Sequence, residues 1–129
     1  MFIEAIDKAN PDQYNNVNLD YVISYKISGE LLNDGIVMIE FSILNKRDSI
    51  KMTFNNYHDA VLAIDSIRYL QQGYTFDSNG NIETIKNNCN LYNLDTIVKN
   101  LKIRRSKSKK LGYISILVTF PPTVQYSVQ

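Results

Sequence analysis

Apolar and polar residues alternate through Leu19–Ser28: Leu19, Tyr21, Ile23, Tyr25 and Ile27 are spaced by Asp20, Ser24, Lys26 and Ser28, with Val22 the only exception. A period of two predicts a half-buried strand. The same pattern recurs over Ile36–Leu44, where Val37, Ile39, Phe41 and Ile43 share a face, and over Ser49–Phe54, where Ile50, Met52 and Phe54 do. Asn33-Asp34-Gly35 and the polar Asn45–Asp48 supply turns, so the three strands read as an antiparallel meander.

At Tyr57 the period changes. Ala60, Ala63, Ile64, Ile67 and Leu70 fall on one helical stripe, which predicts a helix over Tyr57–Gln72. Asn55 or Asn56 can cap it, Asp59 suits the dipole of the first turn, and Gly73 is placed for the C-terminal cap. Tyr74–Phe76 and Ile82–Lys86 flank Asn79-Gly80 and predict a tight hairpin. Leu91–Leu101 predicts a short second helix capped by Asn93, with Asp95 in its first turn and Ile97, Val98 and Leu101 facing the core. Its end is ambiguous. Leu101, Ile103 and Arg105 alternate with Lys102, Arg104 and Ser106, which also fits a strand. Were 101–106 and 110–120 a hairpin, Ser106–Lys109 would be its tip.

At the N-terminus, Phe2, Ile3 and Ile6 suit a short helix over Met1–Ala9, ended by Asn10-Pro11. Asp12–Asn18 is polar and reads as a loop. Near the other end, Gly112–Phe120 predicts a strand with Ile114, Ile116, Val118 and Phe120 inward, closed by Pro121-Pro122. The sum is a single α+β domain over residues 1–129, an antiparallel sheet of about six or seven strands with about two or three short helices on one side. Ile23, Ile39, Phe41, Ile64, Ile67 and Ile116 are the predicted core.

Charge changes this picture most. All 13 acidic residues precede Thr96, and residues 1–98 carry a net −6. From Lys99 onward there are seven cations and no acid: Lys99, Lys102, Arg104, Arg105, Lys107, Lys109 and Lys110. The net charge of +1 conceals that split, which bears on partners and steering rather than on fold. A basic loop or edge has three readings. It can guard a strand edge, dock on the chain's own acidic body or on a charged protein partner, or hold nucleic-acid phosphates with Tyr113 as a stacking ring. The segment lacks the bulky apolar face of a membrane-surface helix, and Tyr113–Phe120 is too short an apolar run to span a bilayer.

Candidate chemistry is sparse. His58 is the only histidine, and Asp59 beside it in sequence does not face it on a helix. Cys89, the only cysteine, has no basic neighbour to activate it and reads as a small buried apolar residue. Asp77–Glu83 departs from a calcium loop and reads as a hairpin turn, and the five glycines form no phosphate loop. No catalytic residue, metal or cofactor is expected. A lone cysteine without a leader pattern at Met1–Ala9 sets a cytoplasmic expectation. Fifteen Asn, 16 Ile and nine Tyr with no Trp are what an AT-rich coding sequence produces, which suits a low-GC bacterium, its phages or its plasmids. The expectation is a non-enzymatic interaction module, such as a phage virion assembly component or an inhibitor of a host protein. The alternative is a nucleic-acid-binding accessory protein acting through 99–110.

Overall fold

A computed structural model describes residues 1–8, 10–29 and 36–111, with side chains through Ser106. Its strands are β1 (Phe2–Ile6), β2 (Tyr14–Asn18), β3 (Val22–Ser28), β4 (Val37–Ile43), β5 (Ile50–Phe54), β6 (Tyr74–Phe76), β7 (Ile82–Thr84) and β8 (Leu91–Asn93). Helix α1 spans Tyr57–Gln71 and helix α2 spans Leu94–Leu111, with a single 3-10 turn at Leu19–Tyr21. The class is α+β as expected, but these strands form three small sheets, β2-β1-β8, β3-β4-β5 and β6-β7, rather than one large one. The predicted turn at Asn33–Gly35 and strand at Gly112–Phe120, with Ile116, lie outside the described residues.

The meander β3-β4-β5 forms as the alternation predicts, antiparallel throughout. Val37, Ile39, Phe41, Ile43, Met52 and Phe54 are all buried on one face. Strand β3 departs from its pattern. Val22 lies opposite Ile43 and Ser24 opposite Ser42, so Ile23 is the extra residue of a β-bulge. One inserted residue reverses the face of everything before it. Val22 turns inward, Tyr25 and Ile27 keep their face opposite Phe41 and Ile39, and Ile23 is left 65% exposed. The prediction of Ile23 as core is therefore wrong, and the lone exception at Val22 was the mark of the bulge. Leu19 and Tyr21 leave the strand altogether for the 3-10 turn, capped by the Asn18 side chain accepting from the Asp20 amide.

Two further expectations are overturned at the N-terminus. The helix expected over Met1–Ala9 does not form in its described residues, Met1–Lys8. Ile3 and Ala5 alternate inward on β1, both fully buried, and β1 is the central strand of its sheet, antiparallel to β2 and parallel to β8. A nine-residue helix would leave most of its end groups unpaired, whereas β1 has a partner on each edge. Asp12–Asn18 is not all loop either. Four of the five residues of β2 are polar because an edge strand with one wet face needs only Val17 inside, and Val17 is 1% exposed.

Helix α1 is read correctly to within a residue. Asn56 Oδ1 accepts from the Asp59 amide at 2.8 Å, and the stripe Ala60, Ala63, Ile64, Ile67 and Leu70 is buried. It packs on β4 and β5, on β6 and on α2, while α2 packs on β1, β6 and β8. One continuous core results. The β6-β7 hairpin closes it: Tyr69 of α1 meets Phe76 edge to face at 4.9 Å, and Asn100 of α2 donates to the Phe76 carbonyl at 3.1 Å.

Burial pushes the Tyr69 phenol up to about 12. Tyr92, half-buried with its hydroxyl enclosed and the Cys89 thiol alongside, is also pushed up to about 12. A phenol with a raised folded pKa keeps a proton that the unfolded chain has lost. Its stabilisation is whole below the unfolded value of about 10 and falls as pH climbs from there toward 12. Denaturant midpoints at about pH 9, 10.5 and 11.5 should therefore decline, and Tyr69→Phe should flatten the decline. A midpoint that does not move across this range would contradict the burial of these rings.

Candidate functional site

The basic segment is helical. No proline or glycine interrupts Leu94–Leu111, and Leu, Lys and Arg are good helix formers. Asn93 Oδ1 accepts from the Thr96 amide at 2.9 Å and caps the start. Leu94, Ile97, Val98 and Leu101 make a buried stripe. The hairpin expected over 101–120 is thus corrected up to Leu111, and the second helix begins three residues later than expected because Leu91–Asn93 is β8, paired with Phe2–Glu4. Helical spacing prevails because Leu94, Ile97, Val98 and Leu101 meet α1 and β1 on one stripe, which an alternating strand could not present.

Lys102 and Arg105, both among the described side chains, dock on the chain's own acids. Lys102 Nζ lies 2.6 Å from Asp59 Oδ1, and Arg105 Nη2 donates to Asp65 Oδ2 at 2.6 Å. Asp65 also faces Arg68 at 3.8 Å. Both aspartates are largely buried, so these pairs hold α2 on α1. Reversing Asp65 would loosen that contact. Arg104 is half-buried, its backbone lying over Gly80. Lys99 is exposed, with no ion-pair partner among the described residues. The side chains of Lys107, Lys109 and Lys110, and all of Tyr113, lie outside the described residues.

Lys99 and Lys102 reach a groove of about 480 Å³. Its apolar lining is Ile6, Phe54 and Val98, and its polar lining includes Lys8, Tyr14, Asn55 and Asn93. Lys8 Nζ pairs with Asp95 Oδ1 at 3.0 Å, while Asp95 Oδ2 accepts from the Ile6 amide at 2.7 Å. The Lys8 amide in turn donates to Thr53 Oγ1 at 3.0 Å. Sequence reasoning missed Lys8 and Tyr14, because one fell in an expected helix and the other in an expected loop.

A second surface lies at the bulged end of the meander. Tyr21, Ile23 and Leu44 are 56%, 65% and 53% exposed. The Leu44 amide donates to the Tyr21 carbonyl at 2.8 Å, which sets those two residues side by side. Beyond them the sheet face is polar. Lys26 lies 3.9 Å from Glu40, and the Ser49 hydroxyl donates to Glu40 at 2.7 Å, which holds the Glu40 carboxyl below its usual range.

His58 is exposed in the first turn of α1. Cys89 is exposed too, against the expectation of burial, since it sits in the turn between β7 and β8. Among the described residues no group of three His, Cys, Asp or Glu side chains could hold a metal ion, and no helix is long and apolar enough to cross a membrane. No protein-family model matches the chain, no curated protein matches it, and no solved structure matches its fold.

Proposed function

We propose that the protein is a non-enzymatic interaction module whose partner is another protein. The observation that carries this reading is the exposed group Tyr21, Ile23 and Leu44 at the bulge of β3. Three large exposed apolar residues on neighbouring backbone positions are what a docking surface requires, and aromatic anchors of this kind supply most of the energy of an interface. The split charge complements the patch. An acidic body and a basic helix set a direction of approach and raise the rate of encounter with a charged partner. The composition of the chain favours a phage or mobile element of a low-GC host as the setting, and a virion assembly component or an inhibitor of a host protein as the role.

The test is recovery of tagged full-length protein from its native context, with identification and stoichiometry of what comes with it. Ile23→Asp should abolish the complex and leave the thermal midpoint within the range of surface substitutions, because Ile23 packs on nothing the core needs. The complex should also weaken as salt shortens the Debye length from about 10 Å at 0.1 M to about 3 Å at 1 M. A partner retained equally by Ile23→Asp would rule out this patch.

A further inference from the structure

We propose that the groove between α2 and the β1–β2 edge is a nucleotide site, for a nucleotide free in solution or within a single strand. This goes beyond the protein-docking reading and uses a different face. Three features meet there. Lys99 is a free cation at the rim. Lys102 stands beside it, half-exposed although paired with Asp59, so it can swing one hydrogen of its ammonium toward an anion without leaving its partner. Tyr14, 55% exposed on β2, brings a flat ring to the same groove.

The carboxylates in the groove do not oppose a phosphate. Asp95 is held by Lys8 and by the Ile6 amide, and Asp59 is neutralised by Lys102. Lys99 then leaves one net positive charge. The N-termini of α1 and α2 both open here, but Asn56 and Asn93 already cap them, so the case rests on the lysines and the ring. Asn55, exposed at the groove, brings a side-chain amide with donors and an acceptor, which matches the edge of a base. The apolar lining residues Ile6, Phe54 and Val98 and the volume of about 480 Å³ suit one base, sugar and phosphate. Stacking on Tyr14 tolerates any base, while phosphate contact at Lys99 and Lys102 supplies charge, which together describe sequence-independent recognition.

Amide chemical-shift titrations of the full chain with AMP, with an eight-residue oligothymidylate and with inorganic phosphate test this. A saturable shift of the Lys8, Tyr14, Asn93 and Lys99 amides is expected with AMP, with the oligonucleotide, or with both. AMP binding identifies a free nucleotide as the ligand, and oligonucleotide binding alone identifies a strand. Tyr14→Ser should weaken binding by roughly tenfold and Tyr14→Phe should restore it, as stacking demands. Lys99→Glu should abolish it without moving the thermal midpoint, since Lys99 bridges nothing in the fold. On the oligonucleotide the log–log salt slope should be about −0.7 per phosphate neutralised. Three results would overturn the proposal: no saturable shift with AMP or oligonucleotide, shifts confined to residues 107–111, or inorganic phosphate binding as tightly as AMP and indifferent to Tyr14→Ser. None of these touches the Tyr21–Ile23–Leu44 surface, so this proposal can fail while the docking reading stands.

Discussion

Phe41→Ala should lower the stability of the domain by about 3–5 kcal/mol. Phe41 lies on β4, the central strand of the meander, and is fully buried. Its ring meets Tyr25 at 6.0 Å, tilted by 48°. Truncation removes apolar surface from the core and leaves a cavity that the neighbours cannot collapse into, because β4 is tied on both edges. Against a total stability of about 5–15 kcal/mol for a domain of this size, such a loss approaches unfolding at physiological temperature. The denaturant midpoint measures it, with exposed Ser42→Ala as control. A loss below about 1 kcal/mol, the scale of a surface change, would mean that β4 presents its other face to the core.

Gly80→Ala should cost about 2–4 kcal/mol, the sum of a backbone term of roughly 1 and an overpacking term of roughly 1–3. Gly80 has φ +81 and touches the backbone of α2. A Cβ placed on it would stand 2.7 Å from the Arg104 nitrogen and 3.0 Å from the Asn100 carbonyl oxygen. Backbone atoms cannot rotate aside as a side chain could, so the hairpin or the helix must move. Gly73→Ala separates the two terms. Gly73 has φ +92 but nothing within 4 Å of its would-be Cβ, so it should lose only the conformational part. Equal melting losses at the two glycines would show that the hairpin does not press on α2.

Much of this arrangement was legible in the chain, and the failures share a cause. The meander, α1 and the Asn-Gly hairpin are local structures whose period, caps and turn residues lie within a few residues of one another. What went unread depends on distant pairing. Strand β1 exists because Leu91–Asn93 and Tyr14–Asn18 flank it, and β2 exists because β1 lends it a ladder. Polar Tyr14–Asn18 carries almost no strand signal of its own. At β3 the alternation through Ile23 misled, since its one exception, Val22, marked an inserted residue that only pairing with β4 reveals. The basic segment was resolved by the same kind of remote fact. Asp59 and Asp65 on α1 meet Lys102 and Arg105 three residues apart, a spacing that suits one face of a helix and not the alternating faces of a strand. The charge split was visible at once, whereas the groove was not, because Tyr14 and Lys99 stand far apart in sequence.

The parallel pairing of β1 with β8 also governs how the protein is made. Ile6 and Asp95, hydrogen-bonded in the finished molecule, are 89 residues apart. At roughly 5–20 residues per second, synthesis places on the order of 5–20 seconds between the two. Throughout that interval β1 can close a hairpin with β2 on one side only. Its other edge, with Ile3 and Ala5 still uncovered, is open to the equivalent strand of a neighbouring chain on the same message. Leu91–Asn93 is therefore a late-arriving cover, and the surface most exposed to misassembly during birth is one that the mature fold keeps hidden.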